Sequence, residues 1–427
     1  MKKRLILLLL ALGGLLVMNL PVSGQEVPSF VLFAPGFWGS IDHLPSKSPL
    51  WLAESPYPHF CKHQETPYLT GPDYQPIPQK YLALGAGPGL SKAFLRPYAK
   101  LQQELNFWAQ KRNREDPARP VRIIDDWQAL ALPRTDGETD IGNLNFIYLK
   151  YDWRLGLAAI TQYYVDPWLA LIDKRWPGAK IHWVGHSLGG LLGRYVVSRH
   201  PQRFTSLISI GGPQYGIYEI GRQRRGLPVD YGGEWDLAYA QEVGLRFTEK
   251  YFFGTRIVQS GKAYEASAAE FARRYMPIMH WLDPEEQRLQ DGFGTLPKLA
   301  EAVPHAVAYY GLGYGSFDLQ GHYHPELLEG KEVGSGLAAP PGSAYAQTGD
   351  GRVDPVSARG PFPHAVCLGK EMQHGELMWS PLVLASLVDR FFFDGRMSRS
   401  QLRLELLRRG IYWNQPVEWL IRARQSW

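Results

Sequence analysis

The stretch Gly185-His186-Ser187-Leu188-Gly189-Gly190 carries the residue types and spacing that point most directly to chemistry. It fits G-x-S-x-G, a pattern in which a serine sits on a turn so sharp that its flanking positions have no room for a Cβ. Ile181-His182-Trp183-Val184 before it reads as a short buried strand, and Leu191 to Val197 after it reads as a helix. On such a strand–turn–helix unit the serine hydroxyl is pushed into the open. The first amides of the helix, with the positive end of its dipole, face the place where an oxyanion would form. The same letters also suit a plain glycine turn ahead of an N-capping serine. The strand and helix on either side favour the nucleophile.

A serine hydroxyl is a weak nucleophile at neutral pH. It needs a histidine to take its proton and a carboxylate to orient that histidine. On α/β-hydrolase scaffolds the chain order is serine, acid, histidine, so both partners should follow Ser187. Thr348-Gly349-Asp350-Gly351-Arg352-Val353 supplies an acid between two glycines that let the loop turn inward, with Asp354 as the competitor. His364 to Leu368 reads as the last strand, Gln373-His374-Gly375 follows it, and Leu382 to Phe393 reads as an apolar helix. That places His374 as the base. His364 precedes this point and reads as structural, and His186 should point away from its neighbour Ser187. The oxyanion would be met by the backbone N–H of Leu188 and by a second amide in the loop Pro35-Gly36-Phe37-Trp38-Gly39, for which Phe37 is the choice. Phe37 and Trp38 would also line an apolar acyl pocket, or else pack in the core.

These residues need a frame. Phe30 to Phe33, Asn145 to Leu149, Ser206 to Ile210 and Ala306 to Gly311 are compact apolar runs suited to buried strands. Helices are expected from Leu95 to Gln110, and from Asp166, which can cap a helix with Pro167 at its first position and Pro177-Gly178 at its end. Alternation of strand and helix predicts an α/β fold, a mostly parallel sheet with helices on both faces. The rhythm breaks between about 217 and 304. That stretch is charged and partly helical, as over Ser267 to Tyr275, and is expected to form a cap or lid above the C-terminal edge of the sheet.

Further matching pieces appear in order: Ala34-Pro35-Gly36, Tyr151-Asp152-Trp153-Arg154-Leu155, Ile208 to Pro213, Tyr310-Gly311-Leu312-Gly313, Gly349 to Val353 and Gln373-His374-Gly375. Together with the serine turn, over roughly residues 28 to 395, they resemble the lecithin:cholesterol acyltransferase family, with its lysosomal phospholipase and phospholipid:diacylglycerol acyltransferase relatives. The resemblance implies a serine core that moves fatty acyl groups from lipid esters to water or to an alcohol. It implies Ser187, Asp350 and His374 as the triad. Trp38 and Trp153 are the candidate substrate-binding residues. The chain departs from the family at Gln214-Tyr215, where tryptophan is usual, and at Arg352, where threonine is usual. Cys61 has no cysteine near it to close the small disulfide loop of the animal enzymes, so acceptor and headgroup preferences do not carry over.

Composition sets the outer bounds. The chain has 427 residues, 45% of them apolar, with 14 Trp and 23 Tyr. The formal net charge is +5, to which Lys2-Lys3-Arg4 contribute, so the remainder is near neutral and nucleic acid is not a suggested partner. Those basic residues, the apolar run Leu5 to Val17 and the small residues Val22-Ser23-Gly24 read as an export signal over 1–24. The hydrolase domain would then occupy 25–427, exported to the periplasm or secreted, or tethered if the signal stays uncleaved. Cys61 and Cys367 are far apart, and sequence does not show that they meet. His59, Cys61 and His63 are metal-capable but lack a fourth ligand. The basic stretch Gln401 to Arg409 suits packing on the body with its arginines in water, or contact with an anionic membrane surface. No metal or organic cofactor is called for. The expected partner is a lipid ester at a membrane or lipoprotein-like surface, and no oligomeric state is implied. Two other readings fit the same residues: an esterase or thioesterase of small soluble esters, and a catalytically inactive binding protein on the same scaffold.

Overall fold

Strands buried on both faces read as near-continuous apolar runs, and this chain lays several of them side by side. The computed structural model describes residues 27–36, 88–124, 141–149, 151, 156–224, 278–285, 298–324, 348–368 and 373–409. In chain order the elements are β1 (Ser29–Ala34), α1 (Pro88–Glu115), β2 (Val121–Ile124) and β3 (Leu144–Tyr148). A helix, α2, follows in three consecutive segments: Leu157–Ile160, Thr161–Val165 and Asp166–Arg175. Next come β4 (Lys180–His186), α3 (Leu188–Arg199), β5 (Ser206–Ile210) and α4 (Tyr218–Arg224). β6 (His305–Tyr310) follows, then a separate small hairpin of β7 (Ser316–Phe317) and β8 (Tyr323–His324), and, after α5 (Pro355–Arg359), β9 (His364–Cys367). The helices α6 (Pro381–Phe393) and α7 (Arg399–Arg408) close the described chain.

Seven strands form one sheet in the order β2-β3-β1-β4-β5-β6-β9, and every pairing in it is parallel. Successive side chains alternate between its faces. Phe30, Leu32, Ile181, Trp183 and Leu207 pack with α2 and α3 on one side. Val31, Phe33, Val184, Ile208 and Ile210 pack with α1, α6 and α7 on the other. This two-period alternation within apolar strands produces the three-layer architecture and puts every strand's C-terminal end along one edge. Among the described residues no helix is long and apolar enough to cross a membrane.

Three local expectations need correction. The helix expected over Leu95 to Gln110 runs from Pro88 to Glu115. Asp166 is not an N-cap: helical backbone already extends from Leu157, and the Asp166 amide bonds back five residues to the Thr161 carbonyl. That one wide turn absorbs the disruption of Pro167, which lacks an N–H to continue the regular ladder. The Asp166 carboxylate instead meets His200 Nε2 at 2.8 Å, joining α2 to the end of α3. Over Gln401 to Arg409, Leu402 and Leu406 are buried on the body as expected, and Leu404 is 68% exposed. Yet the Arg409 side chain is buried, paired with Glu104 and Glu405 rather than standing in water.

The expected signal, 1–24, lies outside the described residues, as do His59, Cys61, His63 and the helix over Ser267 to Tyr275. The expected cap span is described at 217–224, 278–285 and 298–304.

Packing is very tight where α3 crosses the sheet. A Cβ on Gly189 would stand 2.0 Å from the Ala34 carbonyl oxygen and 2.8 Å from that of Pro35. Gly189→Ala should therefore push α3 away from β1 and destabilise the fold by on the order of 3 kcal/mol. The check is the urea denaturation midpoint, and an unshifted midpoint would mean that the two elements separate without cost.

Candidate active site

The turn between β4 and α3 delivers Ser187 with φ 54° and ψ −123°. A non-glycine residue pays for this region of backbone space and needs surroundings that enforce it. Here they do: the Ser187 amide donates to the Ile210 carbonyl at 2.9 Å, at the end of neighbouring β5. A Cβ on Gly185 would lie 2.1 Å from the Gly189 carbonyl, so the two glycines let strand and helix meet at the turn. Ser187 is 7% exposed.

His374 Nε2 lies 2.8 Å from Ser187 Oγ, and His374 Nδ1 lies 2.8 Å from Asp350 Oδ2. The buried Asp350 carboxylate fixes the proton on Nδ1, leaving the Nε2 lone pair to accept from the serine hydroxyl. Asp350 is itself held by its loop. Its Oδ1 accepts from the amides of Arg352 at 3.0 Å and Val353 at 2.8 Å, while its carbonyl accepts the His374 amide at 2.9 Å. Gly351 turns this loop with φ 85°. His374 opens a short 3₁₀ helix, His374–Trp379, started by a capping box between Gln373 and Glu376.

The competing carboxyl, Asp354, has a separate task. Its Oδ1 accepts from the amides of Val356 and Ser357, capping α5. His364 begins β9 and is exposed. His186 turns its ring away from Ser187, toward the Tyr98 hydroxyl and the His374 carbonyl. Burial, and the nearby His374, hold the His186 imidazole down at about 3, so it is neutral.

The loop after β1 comes up against the serine: a Cβ on Gly36 would lie 2.7 Å from Ser187 Cβ. Two tyrosines hold this loop. Tyr151, from the Tyr-Asp-Trp-Arg segment, donates to the Pro35 carbonyl, and Tyr98 accepts the Gly36 amide at 2.8 Å. Leu188 is the first residue of α3 and is buried. Phe37, Trp38 and Trp153 lie outside the described residues. The reading of the sequence overlooked Tyr98, which no short motif marks, and Glu219, on α4. Burial pushes the Glu219 carboxyl up to about 7, opposed by its own backbone hydrogen bond and Arg352 and reinforced by Asp350 and Asp354.

A family model described as the alpha/beta hydrolase fold matches residues 161–280. With the parallel sheet, the strand–turn–helix at Ser187 and helices on both faces, this decides the architecture. The chain has an α/β-hydrolase fold. Solved structures with which it shares similarity include a lipase, BlEst2, of Bacillus licheniformis, at 13% identity and TM-score 0.31, over 64% of this chain and 91% of that one. The metagenomic carboxyl esterase MGS0156 is similar at 15% identity and TM-score 0.29, over 70% and 75%. Phospholipase PlaB of Legionella pneumophila is similar at 15% identity and TM-score 0.26, over 56% and 45%. No curated protein matches the chain.

Within this α/β-hydrolase fold, the capping role of Asp354 can be tested by titration. Burial pushes the Asp354 carboxyl from 3.8 up to about 6, against its two amide bonds. The folded chain thus keeps this proton to higher pH than the unfolded one. Its contribution to stability is full below the ordinary value and is lost as pH rises through about 6. Asp354→Asn keeps an oxygen for the cap without the buried charge. It should gain roughly 1–3 kcal/mol over wild type at pH 8 and little at pH 4, whereas Asp354→Ala, which loses the charge and the cap together, should lie about 1 kcal/mol below Asp354→Asn at both. Thermal melts at the two pH values check this, and an equal gain for Asn at both would remove the titration from the explanation.

Proposed function

We propose that this protein is a serine-dependent lipid acyl hydrolase or O-acyltransferase working through an acyl-enzyme on Ser187. The observation that carries the reading is the continuous hydrogen-bonded line from Ser187 Oγ to His374 Nε2 and from His374 Nδ1 to Asp350 Oδ2. Ser187 Oγ attacks the ester carbonyl carbon as His374 Nε2 takes its proton. The carbonyl oxygen becomes an oxyanion received by the amides of Leu188 and Phe37. Collapse breaks the bond to the leaving alkoxide, which departs with the proton from Nε2. Water or a lipid alcohol then gives its proton to Nε2, attacks the acyl-serine and frees Ser187. Asp350 stays ionised, orienting His374 and stabilising its imidazolium.

The lipid preference in this proposal comes from the family resemblance in the motifs, with Trp38 and Trp153 taken as substrate-lining residues. Export through residues 1–24, a cap over 217–304 and encounter with substrate at a lipid surface belong to the same proposal. An esterase of small esters would use the same triad.

The decisive experiment is mass spectrometry of products from long-chain phospholipid, with and without a lipid alcohol, using wild type and Ser187→Ala. New ester that depends on Ser187 identifies acyl transfer, and free fatty acid alone identifies hydrolysis. Turnover of short soluble esters only would overturn the lipid assignment, and full activity in Ser187→Ala would overturn the mechanism. Asp350→Asn should retain the fold and lose about 10⁴-fold in kcat, because an amide no longer enforces the Nδ1–H tautomer. A loss below tenfold would hand the orienting role to another group.

A further inference from the structure

We infer that Tyr98 and His186 are positioning residues that lock the oxyanion loop after β1 to the loop carrying His374, as one buried relay beneath Ser187. The inference rests on the triad reading above and adds a part to it.

The hydrogen bonds have only one self-consistent direction. The Gly36 amide can only donate, so the Tyr98 oxygen accepts it at 2.8 Å. Tyr98 has one proton left, which it gives to His186 Nδ1 at 2.9 Å. With Nδ1 accepting, neutral His186 carries its proton on Nε2 and donates it to the His374 carbonyl at 3.0 Å. A carbonyl can only accept, so both ends of the relay are fixed by groups that cannot reverse. Tyr98 is buried and edge-on to Phe33 and Tyr148, so its ring is held independently of its hydroxyl. Burial also drives the Tyr98 phenol upward, keeping it a donor.

The consequence is mechanical. The residue after Gly36 is the one assigned the second oxyanion amide, and a Cβ on Gly36 would already touch Ser187. The residue at the other end of the relay is the base itself. A shift of either loop by a fraction of an ångström would misplace a donor or an acceptor, a displacement to which acyl transfer is steeply sensitive. His186, the variable letter after the first glycine of G-x-S-x-G, would thereby set the spacing between oxyanion site and base. Its neutrality matters too. The two imidazole rings lie 5.1 Å apart, so a charged His186 would oppose the imidazolium that His374 must become.

The test is steady-state hydrolysis of 4-nitrophenyl butyrate by wild type, Tyr98→Phe, His186→Ala, His186→Asn and His186→Gln, with Ser187→Ala as control. Active sites are counted by fluorophosphonate titration and folding by thermal melts. Asn places an amide oxygen near Nδ1, and Gln places an amide N–H near Nε2, so each restores one half of the relay. Tyr98→Phe should lose tenfold or more in kcat with KM within about twofold and a melting point close to wild type. Among the His186 variants, Asn and Gln should each recover part of what Ala loses. Wild-type kcat in titrated Tyr98→Phe, or Asn and Gln no better than Ala, would overturn the relay while leaving the triad intact. Activity surviving in Ser187→Ala would overturn the triad reading instead. A wild type that neither hydrolyses the ester nor takes the probe would overturn both.

Discussion

The structure turns on the close approach of backbone to backbone where β4 passes into α3. Gly185 and Gly189 let the helix fall directly onto the strand it leaves, and Gly189 also admits the carbonyls at the end of β1. Without that approach Ser187 could not hold its unfavourable φ, and the Gly36 loop could not lie against it. The strain at one residue is balanced by an extensive core: β4 is central in the sheet, with Trp183 buried on one face and Val184 on the other. A rigid sheet edge is what makes hydrogen bonds near 2.8 Å available to residues from three distant loops.

Electrostatically, the site divides its acidic groups by their surroundings. Asp350 accepts two backbone amides as well as the histidine, so its carboxylate is well satisfied though only 1% exposed. Asp354, four residues on, faces helix amides and less solvent than it needs, and burial raises it. Two carboxyls on one loop thus serve different partners, Asp350 meeting His374 and Asp354 completing a helix.

Much of this was legible in the sequence, for physical reasons. The serine turn is local, its glycines and its serine close in sequence, so its geometry is written in a few neighbouring letters. The strands of the sheet are buried on both faces, which makes apolar runs such as Ser206 to Ile210 easy to see. The choice of Asp350 over Asp354 followed from the glycines that turn its loop. Capping at Asp166 was misread because Pro167 ordinarily starts a helix, and only a wide turn formed in context lets the helix continue through it. Tyr98 was invisible because its partners, Gly36 and His186, are 62 and 88 residues away, beyond any local pattern.

The strand order has a further meaning in time. Ser187 belongs to the middle of the sheet, but His374, which meets its hydroxyl, is 187 residues further along the chain, beyond β6 and edge strand β9. In the proposed mechanism, a growing polypeptide that ends soon after the serine turn therefore has neither base nor acid to activate it. On that reading the last third of the chain is a built-in delay: a partly synthesised or truncated molecule would carry an inert alcohol where the finished one would carry a nucleophile.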